Sequence, residues 1–117
     1  MVWTPPRTFV AGTAVTASAL NTDLRDNLND LYDRIQSGTV AITPVAGTPT
    51  SVTVTFPVAF SSTPRVVCSV ATGSVGTGAS QVEGVGGDTE TTTTFRCTLT
   101  RNNTTVTNVR WIAMRNV

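Results

Sequence analysis

The chain contains no histidine and no lysine. Without histidine, the commonest general base, the commonest metal ligand and every histidine-containing triad are excluded. All eight cations are arginines, as codon bias in a GC-rich genome would produce. Charged residues make up only 13% and the net charge is +1, so there is no basic field for nucleic acid or an anionic membrane. Aromatics are few, at 6%. The two cysteines, Cys68 and Cys97, lie too far apart for a CxxC metal or redox pair. No apolar run approaches the ~20 residues that a membrane span needs. The N-terminal MVWTPPRTFV has neither the apolar core nor the cleavage pattern of a signal peptide, so synthesis in a cytoplasm is expected.

What is present points to β-structure. The 117 residues suffice for one domain of ordinary size. Valine occurs 17 times and threonine about two dozen times, and both favour pleated, half-buried surfaces. Residues 1–15 contain Pro5-Pro6 and Gly12 and show no period; they read as an extended arm anchored by Trp3, Phe9 and Val10. The following stretch, 16–38, reads as one amphipathic helix. Leu20, Leu24, Leu28, Leu31 and Ile35 recur at three- and four-residue steps on one face. Thr16 or Ser18 serves as N-cap, Asp23 and Asp26 suit the N-terminal dipole, Arg34 suits the last turn, and Gly38 is placed as the C′ residue. Asp23, Asp30 and Arg34 fall on the polar side, which reads as a solvated face and not as a metal site.

From Thr39 the period becomes two, with turn residues between the runs. Strands are expected at 39–43, 51–56, 65–72 and 81–85. A fifth opens with Gly86-Gly87-Asp88 and the threonine run 91–94, and a sixth spans 106–115. Six short strands at such spacing predict an antiparallel sandwich over 39–117. In the last strand, Val109, Trp111 and Ala113 share one face, while Ile112 and Met114 share the other. A strand apolar on both faces is covered on both sides, and another subunit is one such cover. Cys68 and Cys97 share the inner layer by parity. They are either buried thiols or an inter-sheet disulfide. The glycines of Gly73-Ser-Val-Gly76 and Gly84-Val-Gly86-Gly87 lack the lysine and following helix of a phosphate loop. No base is set beside any nucleophile, so no enzyme, cofactor or metal is expected.

Two segments carry family resemblances. PPRTFVAGTAVTASALNTDLRDNLNDL resembles a segment common in virion proteins of tailed bacteriophages, especially of actinobacterial hosts, of the form W-x-x-P-R-x-[FW]-V-A-G-x-x-V-T-A-x-x-L-N-x-x-L-R-D-N-L. Trp3, Pro6, Arg7, Phe9, Val10, Gly12, Val15, Thr16, Leu20, Asn21, Leu24, Arg25, Asp26, Asn27 and Leu28 stand in the matching positions; Ala19 departs from the usual acid or glutamine. Between Ser51 and Ala113 the chain resembles the H-type lectin fold, through Phe56, Phe60, Pro64, Val66, Trp111, Ile112 and Ala113. The resemblances imply a six-stranded H-type lectin-like sandwich behind an arm and a helix, assembled as a homotrimer or hexamer. They imply a non-enzymatic virion protein, made in the host cytoplasm, whose partners are other virion proteins. It is either a capsid decoration protein or a minor tail protein, contacting major capsid or tail proteins. Leu20, Leu24, Leu28, Leu31, Ile35, Ile112 and Met114 are the candidate oligomerisation residues. The alternative for the helix stripe is packing across its own sandwich. Trp3, Pro5, Pro6, Arg7 and Phe9 are the candidate attachment arm. A second reading is a carbohydrate-binding host-attachment lectin of the tail, with glycan contacts in the turns 73–79 and 86–90, where Asp88 and Glu90 are the acids. No nucleic acid or membrane partner is expected.

Overall fold

Thr16 opens the helix. Its backbone is extended (φ −91°, ψ 157°) and its hydroxyl accepts the Ala19 N–H at 3.1 Å, satisfying a first-turn donor that has no partner inside the helix. In the computed structural model, which describes residues 4–115, the helix runs continuously through α1 (Ala17–Leu20), a π-helical segment (Asn21–Asp26) and α2 (Asn27–Arg34). Its end differs from the expectation. Gly38 is not the C′ residue, because Ile35 is already extended (φ −139°, ψ 126°) and begins β1 (Ile35–Ile42). β-Branched isoleucine suits that conformation. The Arg34 carbonyl needs no glycine cap, because it accepts the Arg115 N–H at 2.9 Å. The helix therefore passes directly into the sheet.

Five more strands follow: β2 (Thr50–Thr55), β3 (Arg65–Val70), β4 (Val82–Asp88), β5 (Thr94–Arg101) and β6 (Thr107–Met114). They form two three-stranded antiparallel sheets, in the orders β1-β6-β3 and β2-β5-β4, packed as a sandwich. Gly86, Gly87 and Asp88 do not open the fifth strand as expected. They belong to β4, opposite Thr98, Cys97 and Arg96. The turn falls later, where Thr89 takes a positive φ of 53° and the Thr91 hydroxyl accepts the N–H groups of Thr93 and Thr94. The 72–80 loop is held by buried Arg101, which donates to the carbonyls of Ser74 and Ser80 and to the Thr107 hydroxyl.

Period-two alternation sets the core. Val109, Trp111 and Ala113 of β6 point inward with Phe95, Cys97 and Leu99 of β5, and Ile42, Phe56 and Phe60 complete the layer. Four of the few aromatic rings gather here. Phe56 lies 5.5 Å from Phe95 and 4.9 Å from Phe60, and Trp111 meets both Phe56 and Phe95 edge-on. Cys68 and Cys97 face each other across this layer as free thiols, with the sulfurs 4.0 Å apart. Gly38 has a packing role in place of the capping role. It stands opposite Trp111, and a Cβ there would come within 2.8 Å of the indole.

The molecule measures 70 × 24 × 17 Å, with a radius of gyration of 20.0 Å, against about 13 Å for a compact chain of this length. Arm and helix form a stem projecting from the sandwich.

Because Trp111 is buried and held between the Phe56 and Phe95 rings, it has little free space into which to retreat. Gly38→Ala is expected to destabilise the sandwich by about 1–3 kcal/mol, read as a lower urea midpoint at unchanged slope. An unchanged midpoint would show that the indole yields freely.

Candidate functional site: an exposed apolar band

The stem is built inside out relative to a helix lying on a core. The helix turns its polar residues toward the rest of the chain and its leucines away. Asn27, Asp30 and Asp33 are buried, whereas Leu20, Leu24, Leu28, Leu31 and Ile35 keep between 46% and 61% of their surface exposed. The solvated acidic face expected from the sequence is thus the inner face. The alternative in which the stripe packs across its own sandwich does not occur.

Asp30 is fully buried between two guanidinium groups, Arg34 at 2.7 Å and Arg115 at 2.7 Å. Asp33 accepts from the Ser61 amide at 2.8 Å and the Ser61 hydroxyl at 2.6 Å, and pairs with Arg115 at 2.8 Å. The Gln36 side chain adds a two-way bond to the Val58 backbone. Burial works against the Asp33 carboxylate, but the Ser61 hydrogen bonds and the Arg115 charge outweigh it and hold its pKa below the ordinary value. This network ties the helix base to the 56–61 loop and to the end of β6.

The arm covers part of the same polar side. Thr4 exchanges two hydrogen bonds with the Asn27 amide, at 3.0 and 2.9 Å, and Arg7 pairs with Asp23 at 2.8 Å. These two contacts run the arm antiparallel to the helix. A turn at Val10–Thr13, with Gly12 at φ +85°, reverses the chain toward Thr16. Of the candidate attachment residues, Pro5, Pro6 and Phe9 are exposed and Arg7 is committed to the chain's own helix. Trp3 lies outside the described residues.

The exposed stripe does not stop at the helix. Ile35 is also the first residue of β1 and stands opposite Met114, and Ile112 lies two residues before Met114 on the same face. Val67 of β3 is the register partner of Ile112. Met114, Ile112 and Val67 are about half exposed or more. The candidate oligomerisation residues therefore come together as one band along the stem and onto the outer face of the β1-β6-β3 sheet. Val67 was not singled out from sequence, although its parity against Val66, Cys68 and Val70 places it outward.

The spacing within the stripe explains the π-helical segment. Leu24, Leu28, Leu31 and Ile35 follow four-three-four steps, as in a heptad. Leu20 does not. Eight residues separate it from Leu28, which on an α-helix overshoots two turns by about 80°. The π segment lies between these two leucines. Its wider i→i+5 winding takes up the extra residue and returns Leu20 to the line.

The opposite sheet has a different character. An open groove of about 420 Å³ on the outer face of β2-β5-β4 is lined by Pro49, Ser51, Gly86, Gly87, Asp88, Arg96 and Thr98. Asp88 and Arg96 form a two-pronged ion pair at 2.8 and 2.6 Å, and the arginine holds the Asp88 pKa below its ordinary value. Among the described residues no cluster of three potential metal ligands occurs, and no helix is long and apolar enough to cross a membrane.

Residues 35–116 match the family described as "Putative tail fiber protein gp53-like, C-terminal". The chain belongs to this family. It is a phage virion structural protein. The match begins at Ile35, where the helix gives way to β1, and takes in all six strands. The tail fiber-like domain is thus the sandwich, and the arm and helix precede it. No curated protein and no solved structure matches the chain.

The Asp33 contacts make the junction between stem and tail fiber-like domain acid-labile. Its folded pKa is depressed, so its contribution is present above the unfolded value of about 4 and is lost as pH falls through the folded value. Wild-type melting temperature is expected to fall below about pH 4. Asp33→Asn should be less stable at pH 7 and lose part of that acid dependence. Parallel pH profiles for the two proteins would overturn this assignment.

Proposed function

We propose that this protein is a non-enzymatic, homotrimeric module on the exterior of the phage particle, attached at its N-terminal end and displaying its sandwich outward. The observation that carries the reading is the apolar band. A chain that buries three polar helix residues and exposes eight large apolar ones in one line has a second surface to cover. Contiguous apolar patches of this kind mark interaction sites. A copy of the same chain is the occupant that fits. Helix stripe and sheet patch are collinear, so parallel copies around a common axis set helix against helix and sheet against sheet. Each leucine removed from water contributes roughly 1.5–3 kcal/mol, and a helix of this length is marginal alone. The resemblance of the sandwich to H-type lectins, which implies a trimer or hexamer, supports copies in multiples of three.

The tip of the stem, with Phe9 and Val10 exposed beside the turn at Gly12, is the attachment end in this proposal. Three tips on one trimer multiply weak contacts with the virion partner. The family name favours a tail location.

Leu28 sits mid-stripe and is more than half exposed in its own chain. Leu28→Asp is therefore expected to convert the trimer to folded monomers in sedimentation equilibrium, with the β-sheet circular dichroism retained. Deleting Thr22 provides the opposite case. It removes the extra residue and leaves regular three-four steps from Leu20 to Ile35, so the trimer should persist with an equal or higher melting temperature. A wild-type chain that sediments as a monomer, or a Leu28→Asp trimer, would sink the proposal.

A second reading is host attachment through a glycan. The open groove at Asp88 and Arg96 favours it, because a carboxylate, a guanidinium and the Ser51 and Thr98 hydroxyls offer both donors and acceptors to sugar hydroxyls. A glycan array with wild type and Arg96→Ala tests it. Binding that the variant loses supports recognition in the groove, and an array without signal removes this reading.

A further inference from the structure

We propose that Cys68 and Cys97 form a built cross-linking site, closed by two-electron oxidation into a disulfide that joins β3 of one sheet to β5 of the other. Both sulfurs lie within one protomer, so the inference stands independently of the oligomer.

The geometry is close to bonding. The sulfurs are 4.0 Å apart, and a disulfide needs about 2 Å. Each must advance by about 1 Å, within reach of a side-chain rotation. The strands already approach at this point. Gly87 is the register partner of Cys97, and a Cβ on it would lie 3.2 Å from the Cys68 sulfur. A larger residue there would hold the two sheets apart. Phe95 and Val66 wall the same spot, and the Glu90 carboxylate is near enough to oppose a negative charge on Cys68. Among the described residues no third ligand joins the pair to make a metal site.

The two thiols differ in access. Cys97 is completely buried, while Cys68 is partly exposed. The entry point for an oxidant is therefore Cys68. With an oxidised low-molecular-weight thiol, RSSR, the Cys68 thiolate attacks one sulfur and releases RSH, leaving a mixed disulfide. The Cys97 thiolate then attacks the Cys68 sulfur and expels the second RSH. In sum, one small disulfide is reduced to two thiols, and the protein loses two hydrogens. The hydrogen bond with Cys97, and burial, hold the Cys68 thiol well above its ordinary pKa, while the same hydrogen bond lowers that of Cys97, so the accessible sulfur is the weaker acid of the two. Closure is therefore slow at neutral pH and quickens as pH rises. The closed ring spans residues 68–97, and a cross-link over a loop of that length restricts the unfolded chain strongly.

The test is incubation of the full chain with oxidised glutathione at mildly alkaline pH, then denaturation in alkylating agent and intact-mass measurement. The expected product is a single chain lighter by two hydrogens, with neither cysteine alkylated. Its melting temperature should exceed that of the reduced protein by roughly 10 °C, a gain reversed by dithiothreitol. Cys68→Ser should show neither the mass change nor a redox-dependent melting temperature. Recovery of two alkylated cysteines after prolonged oxidation would overturn the proposal. So would a stable glutathione adduct without ring closure, a cross-link between chains, or a closed ring that melts no higher than the reduced protein.

Discussion

The buried Asp30 carboxylate governs how the stem stands on the sandwich. A charge without solvent exposure is tolerated only where opposite charge and hydrogen bonds replace water. Arg34 supplies one partner from the next helical turn, and Arg115 supplies the other from beyond the last strand. Arg115 also holds Asp33, and Asp33 holds the amide and hydroxyl of Ser61. Once these bonds are made, the rotation of the helix about its axis is set. The polar side faces the domain and the leucines face away. The apolar band is in this sense a product of the ion network.

The band then sets requirements on the rest of the stem. It must stay straight over the helix and continue onto a flat sheet. The π-helical segment meets the first requirement by absorbing the residue that breaks the heptad. The direct passage from Arg34 to Ile35 meets the second, because Ile35 is at once the last residue of the stripe and the first of β1. A loop between helix and strand would have separated the two apolar patches. The arm, tied to Asn27 and Asp23 on the polar side, leaves the band uncovered.

The sandwich itself is conventional in its physics. Its inner layer follows from alternation in β5 and β6, with the aromatic rings clustered around Trp111 and a glycine opposite that ring. Its two outer faces diverge. One carries Ile35, Ile112, Met114 and Val67, and the other carries threonines, serines, glycines and the Asp88–Arg96 pair. A sandwich with one apolar and one polar exterior suits a module that packs on one side and meets solvent or a ligand on the other.

The sequence by itself determined the mainly β class, the start of the helix at Thr16 or Ser18, the stripe from Leu20 to Ile35 and the two faces of β6. Each depends on spacing between near neighbours, which alternation and helical period record directly. The register of the sheets, the role of Gly38 beneath Trp111, the placement of Gly86-Gly87-Asp88 in β4 and the burial of Asp30 and Asp33 were decided only by the tertiary structure. Arg115 meets Asp30 across 85 residues, and no local pattern reports a partner so distant. An aspartate with a distant arginine and one in water read identically in sequence, so the polar face looked solvated. Once folding had paired it, the leucines on the other side were the surface left open.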